Sequence, residues 1–204
     1  MKKPAPRTEH LRRALANEAA RVMAEHGVRD FLTAKRKAAA RFGVVDGSVL
    51  PRNTEIESAL QEYQRLFGGA AHAQSLLSQR QVALDVMQRL ERFSPRLVGA
   101  VLQGTATVHD DVMLHVFADR LESVTFLLMD QGIPFEVGER RTRLDPERTV
   151  NQPALRLELD EQPVEIVVFG LDGIRQAPIS PVDGKPMRRA DLDEVLELLA
   201  PDAD

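Results

Sequence analysis

The chain contains no cysteine and no tryptophan, one tyrosine, and only 4% aromatic residues among its 204. Without cysteine there are no disulfides and no thiolate metal centres. With so few aromatics the interior must be built from Leu, Val, Ala and Met, and stacking platforms for nucleic-acid bases are scarce. Long apolar runs are missing too: no stretch approaches the roughly 18 residues a membrane helix needs. The start, Met1-Lys-Lys-Pro-Ala-Pro-Arg, is basic with no apolar core behind it, so a secretory leader is not expected. These absences together predict a cytoplasmic protein. P-loop, dinucleotide, zinc-ligand and nucleophile-elbow spacings are likewise absent.

What is present is ordinary in amount and uneven in distribution. Hydrophobic residues make up 43% and charged residues 28%, with a net charge of −4. Residues 1–100 hold 17 Lys/Arg against 10 Asp/Glu; residues 101–204 hold 10 against 21. Two units with different surfaces are implied, the basic one facing nucleic acid or simply the acidic one.

The first part, 1–92, reads as helical from residue 8 to about 92. Leu11, Leu15, Ala19 and Val22 recur at helical spacing up to Gly27. Asp30 to Phe42 sets Phe31, Ala34, Ala38 and Phe42 on one face and Lys35, Arg36, Lys37 and Arg41 on the other. A loop at 44–52 precedes a helix starting at Asn53-Thr54-Glu55, with Ile56, Leu60, Tyr63 and Phe67 as its buried stripe. A longer helix is expected from Ala71 to Arg92, with Leu76, Leu77, Val82, Val86, Met87 and Leu90 inward, and Ser94-Pro95 stops it.

From about residue 93 the pattern changes. Leu97 to Leu102 is a short apolar run expected to be a buried strand, and Val112 to Phe117 alternates as a strand. A helix follows over Leu121 to Gln131, a strand begins at Pro134 to Val137, and Arg140 to Thr149 reads as a charged hairpin or loop. Leu155–Leu159 and Val164–Phe169 are two strands close enough to pair antiparallel. A Pro/Gly-rich loop, 177–186, leads to a last helix over 190–199. The predicted class is α+β: a helical block, 1–92, then a mixed sheet with flanking helices, 93–204.

The chemistry-bearing stretch is Leu102-Gln-Gly-Thr-Ala-Thr-Val-His-Asp-Asp-Val-Met-Leu-His-Val-Phe. Small residues such as Gly104 and Thr105 let backbone N–H groups approach phosphates closely. Acids at alternate positions of a strand share one face, and a third acid on a later strand can join them. This arrangement resembles the signature of the nucleotidyltransferase-fold superfamily, and the chain is similar to uncharacterised bacterial proteins described as nucleotidyltransferase-like. The resemblance covers about residues 97–170. It implies that Gly104 and Thr105 contact a nucleotide's phosphates and that Asp111 and Glu165 hold Mg²⁺ or Mn²⁺. Position 113, where the resemblance expects the second carboxylate, is Met113, and methionine does not ligate Mg²⁺. Asp110 points to the opposite strand face from Asp111. His115 shares the face of Asp111 and, with Glu165, could bind a transition metal or support acid–base work.

Other readings stay open. Glu165, in an otherwise apolar strand, could be satisfied by a structural partner such as Arg156 or Arg175. His115 could be a hydrogen-bonded sheet residue. Arg175, Lys185, Arg188 and Arg189 surround the late loop, and Lys185 and Arg188 are candidates for nucleotide phosphates. Lys35, Arg36, Lys37 and Arg41 are the candidate contacts to nucleic acid. Three functions are therefore expected in turn: a degenerate nucleotide- or partner-binding domain with an incomplete two-metal carboxylate set, an active metal-dependent nucleotidyltransferase acting on a hydroxyl, or a nucleic-acid-binding protein working through its basic helical half.

Overall fold

The computed structural model describes residues 6–200. The basic start over residues 1–5 and the last four residues lie outside them, as do the side chains of Pro6 and Arg7. The chain is α+β and divides into two compact units. One comprises the described residues up to Ala73 with Thr107–His109 and Pro181–Asp183; the other comprises Gln74–Ala106, Asp110–Ser180 and the described residues from Gly184. The division thus falls inside a helix at Ala73; the change from helical to strand pattern lies near residue 93.

The first unit is helical. Helix α1 (Pro6–His26) presents Leu15, Ala16, Ala19, Ala20 and Met23 to a core shared with α2 (Phe31–Arg41) and α3 (Asn53–Tyr63). Asp30 caps α2, its carboxylate accepting from the Thr33 N–H and hydroxyl, both at 2.7 Å. These bonds hold the Asp30 carboxyl below its usual value. Only Ala34 and Ala38 of α2 are buried, so the helix approaches closely through small side chains, and Phe42, expected inward, is exposed. Ile56 and Leu60 anchor α3. The expected fourth anchor, Phe67, is 71% exposed. The reason is local: the chain widens to a π-helical turn over Gln64–Gly68, and the slower rotation carries Phe67 off the buried stripe.

The second unit is built on a five-stranded sheet of order β1-β2-β5-β4-β3. The strands are β1 (Arg96–Val98), β2 (Val112–Phe117), β3 (Glu136–Arg143), β4 (Thr149–Leu159) and β5 (Gln162–Phe169). β2 and β5 run parallel, and every other neighbouring pair is antiparallel. Asp160 and Glu161 both take positive φ (50° and 62°), the two-residue turn that matches strand twist, and close the β4–β5 hairpin.

Helices α4 (Gly69–Arg89), α6 (Leu121–Asp130) and α7 (Leu192–Leu199) pack on one face of this sheet. Leu114, Val116, Ile166, Val168 and Leu155 meet Val82, Met87, Val124, Leu128 and Val195 there. Leu77 of α4, expected inward, is 44% exposed. The expected strand over Leu97–Leu102 is shorter: β1 ends at Val98, and Gly99–Gln103 forms a short helix, α5. Gly99 at φ 74° takes the chain out of the extended region, so the apolar run finishes as a helical turn that still buries Val101 and Leu102.

Candidate functional site

The opposite sheet face carries His115 and Glu165 of the residues singled out above, with Met113. Alternation puts Met113, His115 and Phe117 of β2 on this face with Glu165, Val167 and Phe169 of β5 and Arg156 of β4. Met113 lies beside Glu165 in the register, and Glu165 lies beside Arg156. Phe117, Val167 and Phe169 form a small apolar cluster with Leu144. Asp111 is half-buried and sits one residue ahead of β2 rather than within it. The loop before it is pinned at the Asp110 carbonyl, which accepts from the Gln162 amide at 3.0 Å and the Gln79 amide at 3.3 Å.

Glu165 is only 3% exposed, and both carboxylate oxygens are engaged by arginines. Oε1 accepts from Nε and Nη2 of Arg156, each at 3.3 Å. Oε2 accepts from Nη1 of Arg140, which reaches across from β3. The arginines are themselves 63% and 43% exposed, so their remaining donors face water. A carboxylate buried on an apolar strand needs such partners, since desolvating it unpaired is costly. Of the two structural partners considered for Glu165, Arg156 takes the role. Arg175 is exposed at the end of the 3₁₀ turn Leu171–Ile174. Arg140 was not foreseen, because its stretch reads as a charged loop.

His115 is 3% exposed. Its Nδ1 accepts from Nε of Arg189 at 3.1 Å, which leaves the proton of the neutral ring on Nε2. Burial, then the charges of Arg189 and Arg140, push its pKa down from 6.5 to about 3. The ring is therefore neutral at physiological pH. Of the late basic cluster, Arg189 reaches His115. Its Nη1 donates to the Gly173 carbonyl at 2.7 Å, and its guanidinium lies 5.0 Å and 5.2 Å from the ring centroids of Phe117 and Phe169. Nη2 is buried with no hydrogen-bond partner among the described residues. Burial, then the charge of Arg96, draw the Arg189 pKa down to about 10, so the group still carries its charge near neutrality. Lys185 and Arg188 are exposed, and the Lys185 carbonyl accepts from the Ser180 N–H at 2.8 Å within the loop.

Gly104 and Thr105 stand at the end of α5, not at the end of a strand. Gly104 takes φ 78° as the helix cap, and its N–H donates to the Ala100 carbonyl. The Thr105 N–H donates to the same carbonyl at 3.0 Å, and the residue is buried. The two backbone donors that a phosphate would need are thus engaged by the chain itself. A Cβ on Gly104 would sit at an ordinary 3.7 Å from Nη2 of Arg80, so the position requires glycine for its backbone angle alone.

In the helical unit, the basic face of α2 is partly compensated. Arg41 pairs with Glu18 at 3.0 Å, and Glu18 also holds Arg21 at 2.8 Å. Burial lowers the Lys35 pKa, with the charge of Glu55 working against that shift. Arg36 and Lys37 are exposed.

Among the described residues no three His, Asp or Glu side chains are grouped so as to hold a metal ion. No helix among them is long and apolar enough to cross a membrane. Compared with family models, with curated proteins and with solved structures, the chain matches none.

Proposed function

We propose that the sheet-bearing unit is a nucleotidyltransferase-like domain that binds an anionic ligand, a nucleotide, without metal-dependent transfer. The observation that carries this reading is the bridge Arg140–Glu165–Arg156. The donor set of this face is a poor match for paired divalent cations. Mg²⁺ and Mn²⁺ want several hard, negatively charged oxygens. Here one carboxylate is already matched by two guanidiniums, and its neighbour in the register is Met113. A cation at Glu165 would have to displace both arginines or sit beside their charges.

The same bridge suits an anion. Glu165 fixes two guanidiniums on one face and neutralises only one positive charge. Nε and Nη2 of Arg140 and Nη1 of Arg156 make no bond to it. Phosphate oxygens pair well with such forked donors. No metal is required in this arrangement, because the guanidiniums supply the positive charge.

Thermal-shift measurements against the four ribonucleoside triphosphates, each with Mn²⁺ and with a chelator, test the reading. The expected result is a stabilisation of equal size in both conditions, reduced by Arg140→Met or Arg156→Met. Stabilisation that depends on metal, accompanied by pyrophosphate release that Asp111→Asn abolishes, would establish a working transferase and end this reading.

A further inference from the structure

The two edges of the sheet are treated differently. At the β1 edge, Leu97 exchanges both backbone hydrogen bonds with Ala190, at 2.8 and 2.9 Å, so that edge is closed. At the β3 edge only the last residue is covered: the Arg143 carbonyl accepts from the Ile179 N–H at 2.8 Å. That bond also fixes which way the strand's groups point. In an antiparallel pair, successive residues turn their N–H and C=O alternately toward and away from the partner strand. Since the Arg143 carbonyl points away from β4, so do the groups of Arg141, Glu139 and Val137. No backbone hydrogen bond from another described residue reaches these three.

The side chains along this edge complement one another under a two-fold axis. Val137, Glu139 and Arg141 lie on the helix-bearing side of the sheet, since Val137 stands beside the core residue Leu155. If a second β3 pairs antiparallel with the axis at Arg140, Glu139 of each copy falls opposite Arg141 of the other. Those two pairs have their backbone groups outward, so each exchanges two bonds, about four between the copies. A register displaced by one pair sets Glu139 against Glu139 and is disfavoured by like charge. Asn151 already orients Glu139, donating to its Oε2 at 2.9 Å. Arg140 meets its own copy at the axis on the other face, where each pairs with its own Glu165 and the charge left over from Arg140 and Arg156 weakens the association. Exposed apolar side chains on the helix-bearing side include Val137 at 61%, and Phe126 and Met129 of α6 at 62% each. Helix α6 reaches β3 through the short connection 131–135, which keeps its carboxyl-terminal end near this edge.

We propose that two copies of this chain pair through β3, antiparallel and centred on Arg140, to form one continuous sheet. Charges on an edge strand ordinarily discourage such pairing; on β3 the outward-facing Glu139 and Arg141 have opposite signs, so this register sets opposite charges against each other.

Sedimentation velocity on the full chain at high micromolar concentration tests this. The wild type is expected to sediment as a dimer. Glu139→Arg and Arg141→Glu, both at exposed positions, each place like charges opposite one another and should weaken association by about tenfold or more. The double variant carrying both changes restores the opposite-sign pairs and should dimerise again, and an equimolar mixture of the two single variants should form a heterodimer. A wild type that sediments as a monomer throughout, or single variants that associate as tightly as the wild type, overturns the proposal.

Discussion

Replacing Arg140 and Arg156 together by methionine leaves the Glu165 carboxylate on the same buried strand with no guanidinium in reach. Its side chain is 4% exposed, so water cannot take over from the arginines. Removing the partners of a buried charge costs about 3–5 kcal/mol. The reverse change, Glu165→Gln, keeps the volume and strands the arginines instead. They are 43% and 63% exposed, so they turn their donors to water and recover most of the loss. What remains is a buried amide with imperfect partners, about 1–2 kcal/mol. The two perturbations of one bridge should therefore differ by about 1–4 kcal/mol, with the arginine variant the worse. Spectroscopic readout needs care, because the chain has no tryptophan and its one tyrosine, Tyr63, belongs to the helical unit. Hydrogen exchange of the Val167 and Val168 amides in β5 reads the sheet directly. The arginine variant should speed their exchange by two to three powers of ten and Glu165→Gln by about one, at roughly 1.4 kcal/mol per power. Equal acceleration, or a larger one for Glu165→Gln, would refute the reasoning that the carboxylate is the buried and dependent partner.

His115 gives the sheet a pH dependence of known sign. Its folded pKa of about 3 lies below the ordinary 6.5, so the unfolded chain binds the proton more readily between these values. Its contribution is full above the unfolded pKa and is lost as pH falls towards 3, by at most about 1.4 kcal/mol per pH unit; in His115→Gln, urea titrations from pH 7 to 4 should lack that part of the slope. Asp191 caps α7, its carboxylate accepting from the Glu194 N–H at 3.1 Å while Glu194 accepts from the Asp191 N–H at 3.0 Å. Asp191→Ala should cost about 1 kcal/mol in the same titrations at pH 7.

Much of the sheet could be read from the sequence because its signals are local. The limits of β2 follow from alternation, and the antiparallel β4–β5 pair follows from the few residues between the two runs. The tight turn at Asp160-Glu161 also places Arg156 opposite Glu165, which decides between the two expected partners, Arg156 and Arg175. Arg140 was hidden because its position depends on the register of β3 against β4, which no local pattern specifies. Arg189 was named with the late basic cluster, yet its neighbours could not distinguish it from Arg188. Only the path of the tail decides which of them meets His115. The strand expected over Leu97–Leu102 failed because an apolar run fits a buried strand or a buried helical turn equally well, and Gly99 decides between them. Phe67 failed for a different reason: helical periodicity assumes one rotation per residue, and the π-helical turn changes it.

If the two arginines are the standing partners of Glu165, no divalent cation is expected there. Paramagnetic broadening tests it most directly, with Mn²⁺ titrated into protein labelled on its methionine methyl groups. Met113 stands beside Glu165 in the register and is the reporter. The Met113 methyl signal is expected to keep its width, no more affected than that of the exposed Met129 of α6. Selective broadening of Met113 that disappears in Glu165→Gln would instead place a metal where the structure has two guanidiniums.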